Sequence, residues 1–171
     1  DGTTLAYAQR TSSGTYDILT LPIDGPGATP TVLLGTPFDE VQLRFSPDGR
    51  AAAYLSNESG RYELYVATYP GMSSRQRDSD GGARAPEWDP VRNELLYFAG
   101  DGRLIAVPVR TTPEPRLGRA ETLFTVNEEQ SWIDFDVSPD GQRLLAIALD
   151  RHGGDQPLTM ILNWPVPTAR N

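Results

Sequence analysis

The residues best suited to chemistry in this chain are two aspartates near its C-terminal end, Asp134 and Asp136. They flank Phe135 in the run Ile133–Val137, where apolar and polar residues alternate as in a half-buried strand. Because alternate residues of a strand share a face, both carboxylates are expected on the face opposite Phe135. Carboxylate oxygens are the ligands that Ca²⁺ prefers in proteins. Asp134 and Asp136 are therefore the candidate metal ligands, and bound Ca²⁺ would raise the melting temperature.

Two further aspartates, Asp48 and Asp140, stand in a motif that occurs twice. Phe45–Gly49 reads Phe-Ser-Pro-Asp-Gly, and Val137–Gly141 reads Val-Ser-Pro-Asp-Gly. Their carboxylates could also ligate a metal, but a tight turn explains them without one. Proline presets φ for the turn, aspartate bonds its own backbone, and glycine takes the position with φ > 0. We interpret both as turn residues, each joining two antiparallel strands.

The motifs of common enzyme classes are missing from the sequence. A kinase needs a glycine-rich phosphate loop and a strand lysine, yet the chain contains no lysine at all. A serine hydrolase of the Gly-x-Ser-x-Gly type needs that motif, which does not occur. His152 is the only histidine, and without a nucleophile motif it is interpreted as a solvated loop residue. The segment is therefore expected to carry no catalytic activity and no cofactor of its own.

The composition of the chain excludes several classes of binding partner and site. The chain has 171 residues, a formal net charge of −8 and no cysteine. Clustered basic residues, which a nucleic-acid surface needs, do not occur. The absence of cysteine excludes disulfides and cysteine-based metal sites. No stretch approaches the ~18 apolar residues of a membrane helix.

The spacing of the turns predicts the fold. Asp1-Gly2 precedes Asp48-Gly49 by 47 residues, and Asp140-Gly141 follows it by 92, which is twice 46. Short strand-like runs fill the intervals, and no apolar stripe of helical period is present. A period of roughly 40–50 residues with up to four strands per unit is typical of β-propeller blades. An immunoglobulin-like sandwich also has many short strands, but it gives no reason for a turn at one fixed interval.

The sequence therefore predicts an all-β chain: a single partial propeller of about four blades built from antiparallel four-stranded sheets. The blades are expected at residues 1–39, 40–82, 83–126 and 130–165. The first lacks an inner strand, the last lacks an outer strand, and Val91–Asn93 replaces the Asp-Gly turn of the third. Trp88, Trp132 and Trp164 are expected to pack between blades rather than to form a carbohydrate platform. Four blades is the lower limit for closure, so we expect an open arc whose end blades expose apolar faces and self-associate.

Several stretches resemble a known family. The run Phe45–Tyr54 followed by Ser56–Val66 resembles the WD40-like (PD40) repeat of TolB-type propellers. The whole chain is similar to the propeller that follows the kinase domain in many bacterial serine/threonine protein kinases. The segments that carry this second likeness are Ser79–Gly82, Glu87–Trp88, Asp101–Leu104, Ala106–Val109 and Leu162–Trp164.

The resemblance implies a non-catalytic scaffold that binds a protein or small ligand, as a sensor or interaction module in the C-terminal part of a larger bacterial protein such as a serine/threonine kinase. A periplasmic or extracytoplasmic location would fit this context. The alternative is an accessory propeller of a hydrolase, such as a serine peptidase, that gates or orients substrate. A kinase domain or a hydrolase domain elsewhere in the native chain would separate the two.

Overall fold

The computed structural model describes residues 2–126 except Asp24 and Pro26, residues 130–150 and residues 160–162. Within these ranges the chain forms fifteen β-strands and no helix. The strands are β1 (Thr4–Arg10), β2 (Tyr16–Pro22), β3 (Thr31–Leu34), β4 (Glu40–Phe45), β5 (Ala51–Ser56), β6 (Glu63–Thr68), β7 (Gln76–Arg77), β8 (Ala83–Trp88), β9 (Glu94–Ala99), β10 (Arg103–Arg110), β11 (Arg116–Leu117), β12 (Glu121–Thr125), β13 (Gln130–Val137), β14 (Arg143–Asp150) and β15 (Met160–Leu162).

The strands form four antiparallel sheets in chain order, which we call blades 1 to 4. Blade 1 is β1-β2-β3, blade 2 is β4-β5-β6-β7, and blade 4 is β13-β14-β15. Blade 3 is β8-β9-β10-β12, with the two-residue β11 also paired to β10. The expected all-β propeller arc is confirmed. The first blade does lack an inner strand among the described residues, whereas β11 is an extra strand that the sequence pattern did not predict.

The recurrent turn has the hydrogen bonds that its residue types predict. In blade 2, the Ser46 hydroxyl donates to Oδ1 of Asp48 over 2.7 Å, and the same oxygen accepts from the N–H of Arg50 at 3.1 Å. The Ser46 hydroxyl also accepts from the N–H of Ala51 at 3.0 Å, and Gly49 has a φ of 67°. The serine, aspartate and glycine therefore close the hairpin between the first two strands of the blade.

The turn of blade 4 repeats this arrangement bond for bond. Ser138 donates to Oδ1 of Asp140, the N–H of Gln142 donates to the same oxygen over 3.0 Å, and Gly141 has a φ of 66°. In blade 3 the glycine is replaced by Asn93, whose φ of 53° shows that it adopts the same left-handed conformation. Asparagine tolerates that region better than most residues. Asp48 and Asp140 thus occupy matching corners of separate sheets.

Apolar packing between blades forms the core. Alternate residues of a strand point to opposite faces, so each sheet contributes to two buried clusters. In β5, Ala53 and Leu55 pack with blade 3, whereas Tyr54 packs with blade 1. In β9, Tyr97 packs with blade 2 and Phe98 packs with blade 4. The core is therefore a series of layers between successive blades.

Blade 2 has three small residues in succession, Ala51, Ala52 and Ala53, in the strand that is covered on both faces, and all three are fully buried. Replacing Ala53 by leucine should lower the free energy of unfolding by about 1–3 kcal/mol, because extra methylenes in a packed layer force neighbours such as Trp88 from their rotamers. Urea unfolding measures the change. Val91→Leu is the control, since Val91 is exposed and should shift stability by less than about 0.5 kcal/mol. An unchanged midpoint for Ala53→Leu would contradict close packing here.

Candidate functional site

The inner strands of blades 2, 3 and 4 place charged residues at one equivalent position. Pairing with the second strand defines the register, because Phe45, Trp88 and Val137 lie opposite Ala52, Leu95 and Leu144. The residues immediately before them are Arg44, Glu87 and Asp136. Successive inner strands lie side by side around the propeller axis. Arg44, Glu87 and Asp136 therefore form a row, which we call the inner row.

Blades 2 and 3 are joined through this row. Nε of Arg44 lies 2.5 Å from Oε1 of Glu87, and the indole N–H of Trp88 donates to the Arg44 carbonyl over 3.0 Å. Two residues earlier in each strand, the side-chain oxygen of Gln42 accepts from the N–H of Ala85 over 3.0 Å. A planar guanidinium paired with a carboxylate, backed by two backbone contacts, fixes one inner strand against the next.

Gln42 and Ala85 occupy equivalent irregular positions. Each is a residue other than glycine with positive φ, 53° and 49°, and each lies where the pairing of its strand shifts register. Such a β-bulge leaves one residue out of the ladder and re-aims its neighbours. The bulge of blade 2 therefore presents a side-chain oxygen to the free backbone N–H of the bulge of blade 3.

The predicted metal ligands lie at the open end of the row. Asp134 and Asp136 are opposite Ile147 and Leu145 in the register, while Phe135 is buried against blade 3. The expected placement of both carboxylates opposite Phe135 is confirmed. Oδ1 of each accepts from the backbone N–H of the next residue, at 3.0 and 2.8 Å. No group of three acidic or histidine side chains in the described part of the chain is arranged to hold an ion, so calcium binding stays a prediction.

Carboxylates outnumber cations in and beside the inner row, and this imbalance affects the pKa of Glu87. Burial raises the pKa of Glu87, the Arg44 guanidinium opposes the rise, and the carboxylates of Asp136 and Asp134 add to it. Arg44 is thus the single cation set against three carboxylates in this group. The excess of carboxylates lies at the blade 4 end of the row, where the sequence predicts the calcium ligands.

A second group of functional side chains lies at the end of the blades that carries the loops between blades. Asp39, in the loop before β4, is its centre. Its carboxylate accepts from the N–H of Tyr16 at 3.0 Å, from the amide of Asn57 at 2.9 Å and from the hydroxyl of Tyr62 at 2.8 Å. Burial and this last hydrogen bond raise the pKa of Tyr62 to about 12. Asp39 therefore ties blade 1 to two loop residues of blade 2.

The next loop is held in the same way by a buried carboxylate. Glu63 is almost fully buried and accepts from the Ser79 hydroxyl and from the N–H groups of Gly81 and Gly82, both at 3.0 Å. Burial alone would raise the pKa of Glu63, but these hydrogen bonds bring it below its ordinary value. The Ser79–Gly82 connection into blade 3 is thereby fixed.

Three aromatic side chains stand exposed around Asp39. Tyr16, Phe38 and Tyr62 are 38%, 41% and 38% exposed. We call them the aromatic patch. Exposed aromatic rings grouped on fixed loops are typical of binding surfaces rather than of a solvated face.

A depression of about 370 Å³ adjoins the aromatic patch and is lined by Phe38, Glu58, Ser59, Tyr65 and Arg77. Its carboxylate is already paired, because Nη1 of Arg75 lies 3.0 Å from Oε2 of Glu58 and the Arg75 guanidinium stacks 5.5 Å from the Tyr65 ring centre. Arg77 makes no ion pair within the described ranges. Among the described residues, the depression therefore offers the Arg77 guanidinium without an ion-pair partner, close to the exposed Phe38 ring.

The remaining sequence predictions fall into two groups. Asp48 and Asp140 are accounted for by the turns, and Trp88 is buried between blades as expected. His152, Trp164 and the side chain of Trp132 lie outside the described residues. The aromatic patch was not predicted from the sequence, although a signal existed. Gly14-Thr15-Tyr16 and Gly60-Arg61-Tyr62 place a tyrosine two residues after the hairpin glycine in both blades.

Comparison with known proteins identifies the fold. The sequence matches no protein-family model and no curated protein. A structure assigned as TolB from Agrobacterium tumefaciens is similar with a TM-score of 0.68 and 19% identity, over 92% of this chain and 54% of that one. The Cps50 (Swd1) β-propeller domain from Myceliophteria thermophila gives 0.58 and 14%, over 94% and 56%. Oligogalacturonate lyase from Vibrio parahaemolyticus gives 0.55 and 17%, over 92% and 39%.

These likenesses show a β-propeller fold with TolB-type propellers among its structural neighbours. The chain spans about half the length of the TolB structure. No helix long and apolar enough to cross a membrane occurs in the part of the chain that the structure describes.

Arg44→Met should lower the free energy of unfolding by about 1–3 kcal/mol at pH 7, because it leaves Glu87 half-buried without its cation. The pKa of Glu87 is raised in the folded state. A carboxyl of this kind stabilises the fold at pH values below its unfolded-state pKa, and this stabilisation is lost as the pH rises through its folded-state pKa. The deficit of the variant should therefore shrink toward pH 4. Urea unfolding at both pH values tests this, with Arg110→Met at an exposed position as the control. Equal deficits at pH 4 and pH 7 would contradict the assignment.

Glu63→Ala should cost about 3 kcal/mol, because the Ser79 hydroxyl and two backbone N–H groups lose their acceptor in a buried site. Glu63→Gln keeps an oxygen for the backbone groups and should cost less. Because the pKa of Glu63 is lowered in the folded state, the ionised carboxylate adds stability at pH values above its ordinary pKa of 4.5. This stability is lost as the pH falls through the folded-state pKa. Unfolding of Glu58→Ala, which breaks a partly exposed ion pair, is the control and should change by less than about 1 kcal/mol.

Proposed function

We propose that this chain is a non-catalytic β-propeller module that binds a protein partner through the loop end of blades 1 and 2. The observation that carries the proposal is the aromatic patch around Asp39, beside a depression in which Arg77 makes no ion pair with any described residue. Aromatic and arginine side chains supply most of the binding energy in typical interfaces. The propeller fold gives these loops a rigid support.

The fixed loops favour binding on energetic grounds. Asp39 accepts one hydrogen bond from the backbone N–H of Tyr16 and one from the hydroxyl of Tyr62, so little conformational entropy is lost when a partner orders these two residues. The Tyr62 ring stays exposed although its hydroxyl is bound. A preformed surface of this kind suits a partner that brings its own apolar groups.

The chemistry of the depression defines the partner further. The Arg77 guanidinium suits a carboxylate, and the exposed Phe38 ring favours an apolar group beside it. The partner segment therefore carries an acidic residue or a terminal carboxylate next to an apolar side chain.

The wider context that we propose is a sensor or interaction module of a larger bacterial protein, such as a serine/threonine kinase, with the propeller outside the cytoplasm. The WD40-like repeat in Phe45–Tyr54 and the kinase-linked segments of the sequence support this context.

A peptide library displayed on phage and panned against the purified chain tests the proposal. Enriched peptides should carry an acidic residue beside an apolar one, and Phe38→Ala and Arg77→Ala should each weaken their binding about tenfold, which corresponds to about 1.4 kcal/mol. Val91→Ala is the matched control, because Val91 is exposed in a turn at the opposite end of the blades. Calorimetry with one enriched peptide measures the affinities. Enrichment that survives both substitutions, or no enrichment, would overturn the proposal.

A further inference from the structure

A buried carboxyl group lies directly behind the aromatic patch. It belongs to Glu40, the first residue of β4, which is fully buried and makes no ion pair with any described residue. We propose that ionised Glu40 positions the loop Thr36–Asp39, so that protonation of Glu40 loosens Phe38 and weakens binding at the patch. This inference rests on the proposed function, because it concerns the regulation of the same site.

Three hydrogen-bond donors point at the Glu40 carboxylate. The N–H of Thr36 donates to Oε2 over 3.2 Å, and the Thr36 hydroxyl donates to Oε1 over 2.5 Å. The Ser56 hydroxyl donates to Oε1 over 3.4 Å. An ionised carboxylate accepts all of these bonds, whereas a protonated carboxyl group carries a hydrogen that needs an acceptor of its own. The arrangement therefore matches the ionised form of Glu40.

Thr36 connects this carboxylate to Phe38. Oγ1 of Thr36 accepts from the N–H of Phe38 over 3.1 Å while its own hydrogen is donated to Glu40. If Glu40 were protonated on Oε1 and donated to Thr36, that hydroxyl hydrogen would have to turn away and Oγ1 would be shared between two donors. If Glu40 were protonated on Oε2, the N–H of Thr36 would lose its acceptor. Either change weakens the contacts that hold the backbone of Phe38.

The environment of Glu40 makes its ionisation sensitive to pH. Burial raises the pKa of Glu40 above its ordinary value of 4.5, and the negative charge of Asp17 in β2 adds to the rise. The hydrogen bonds from Thr36 and Ser56 act in the opposite direction on this pKa and offset the rise only in part. Because the contacts of Thr36 favour the carboxylate, protonation of Glu40 must weaken those contacts by the same amount.

The other charged or titratable groups on the elements that contact β4, or next to Glu40 in the chain, have ionic, hydrogen-bond or ring partners of their own. They are Arg10, Asp39, Arg44, Tyr54, the pair Glu58–Arg75, Arg84 and Glu87. The pKa of Tyr54 is raised to about 12 by burial, so its hydroxyl stays neutral in the pH range of interest. Substitution of Glu40 alone therefore identifies which pH-dependent changes in the loop belong to it.

Nuclear magnetic resonance of the free chain tests the coupling without any partner. The amide resonances of Thr36 and Phe38 should shift with pH at the same midpoint as the Glu40 carboxyl carbon, above 4.5. Glu40→Gln is neutral at every pH and should abolish this transition. Thr36→Val should uncouple the Phe38 amide from Glu40, whereas Thr36→Ser keeps the hydroxyl and should preserve the coupling. The two Thr36 variants keep the test decisive even if Glu40→Gln does not fold, which melting curves would show.

Calorimetry at pH 7.5 and pH 5 with one peptide enriched by panning tests the effect on binding. The affinity of the wild-type chain should be about fivefold lower at pH 5. Glu40→Gln should bind weakly at both pH values, with affinities within about twofold of each other. Glu114→Gln is the matched control, because it removes the same charge at an exposed position of blade 3 and should bind like the wild type.

The outcomes separate this inference from the proposed function. A Phe38 amide that does not follow Glu40, a coupling that survives Thr36→Val, or an affinity that is independent of pH would overturn the inference and leave the aromatic patch as the proposed site. Panning that enriches no peptide would overturn the proposed function instead. The measurements on the free chain would then still decide whether Glu40 positions the loop.

Discussion

The structure depends on the fact that each blade is a sheet with two apolar faces. Such a sheet is not stable alone in water, because burying one face leaves the other exposed. The blades therefore stack in a series in which each stabilises its neighbour, as β5 shows with six buried residues in succession. The even spacing of the blades along the sequence follows from this requirement. The fully buried residues of blades 2 and 3 and the exposed ones of blades 1 and 4 are two results of the same constraint.

Apolar layers do not by themselves fix how one blade sits on the next, because hydrophobic contact is non-directional. Polar contacts between blades fix the orientation of each blade relative to the next. Gln42 and Trp88 each bind the backbone of a neighbouring inner strand, and Arg44 pairs with Glu87 close by. At the loop end, Glu63 holds the connection into blade 3. Each contact joins residues far apart in sequence, so it forms only when the blades are stacked in the right order.

The sequence predicted what depends on local chemistry and repetition. Ser-Pro-Asp-Gly forms its hairpin turn through hydrogen bonds among its own and adjacent residues, so the turns at Asp48 and Asp140 could be predicted from the sequence. Contacts between blades could not be predicted, because nothing near Gln42 or Asp39 in the sequence indicates their distant partners. Asp134 and Asp136 illustrate both cases. Their shared face followed from alternation, but their place at the open end of the inner row required the stacking of the blades.

The loop end differs from the rest of the molecule because its exposed rings are not needed for stacking. Tyr54 and Tyr65 are buried between blades and stack on each other, so the fold accounts for them. Phe38 and Tyr62 remain partly exposed to water, although Tyr62 is anchored through its hydroxyl. Keeping an aromatic surface both exposed and fixed forgoes the free energy that its burial would contribute. That contribution becomes available when another surface covers the rings, and for this reason the proposed binding site lies at these residues rather than in the buried core.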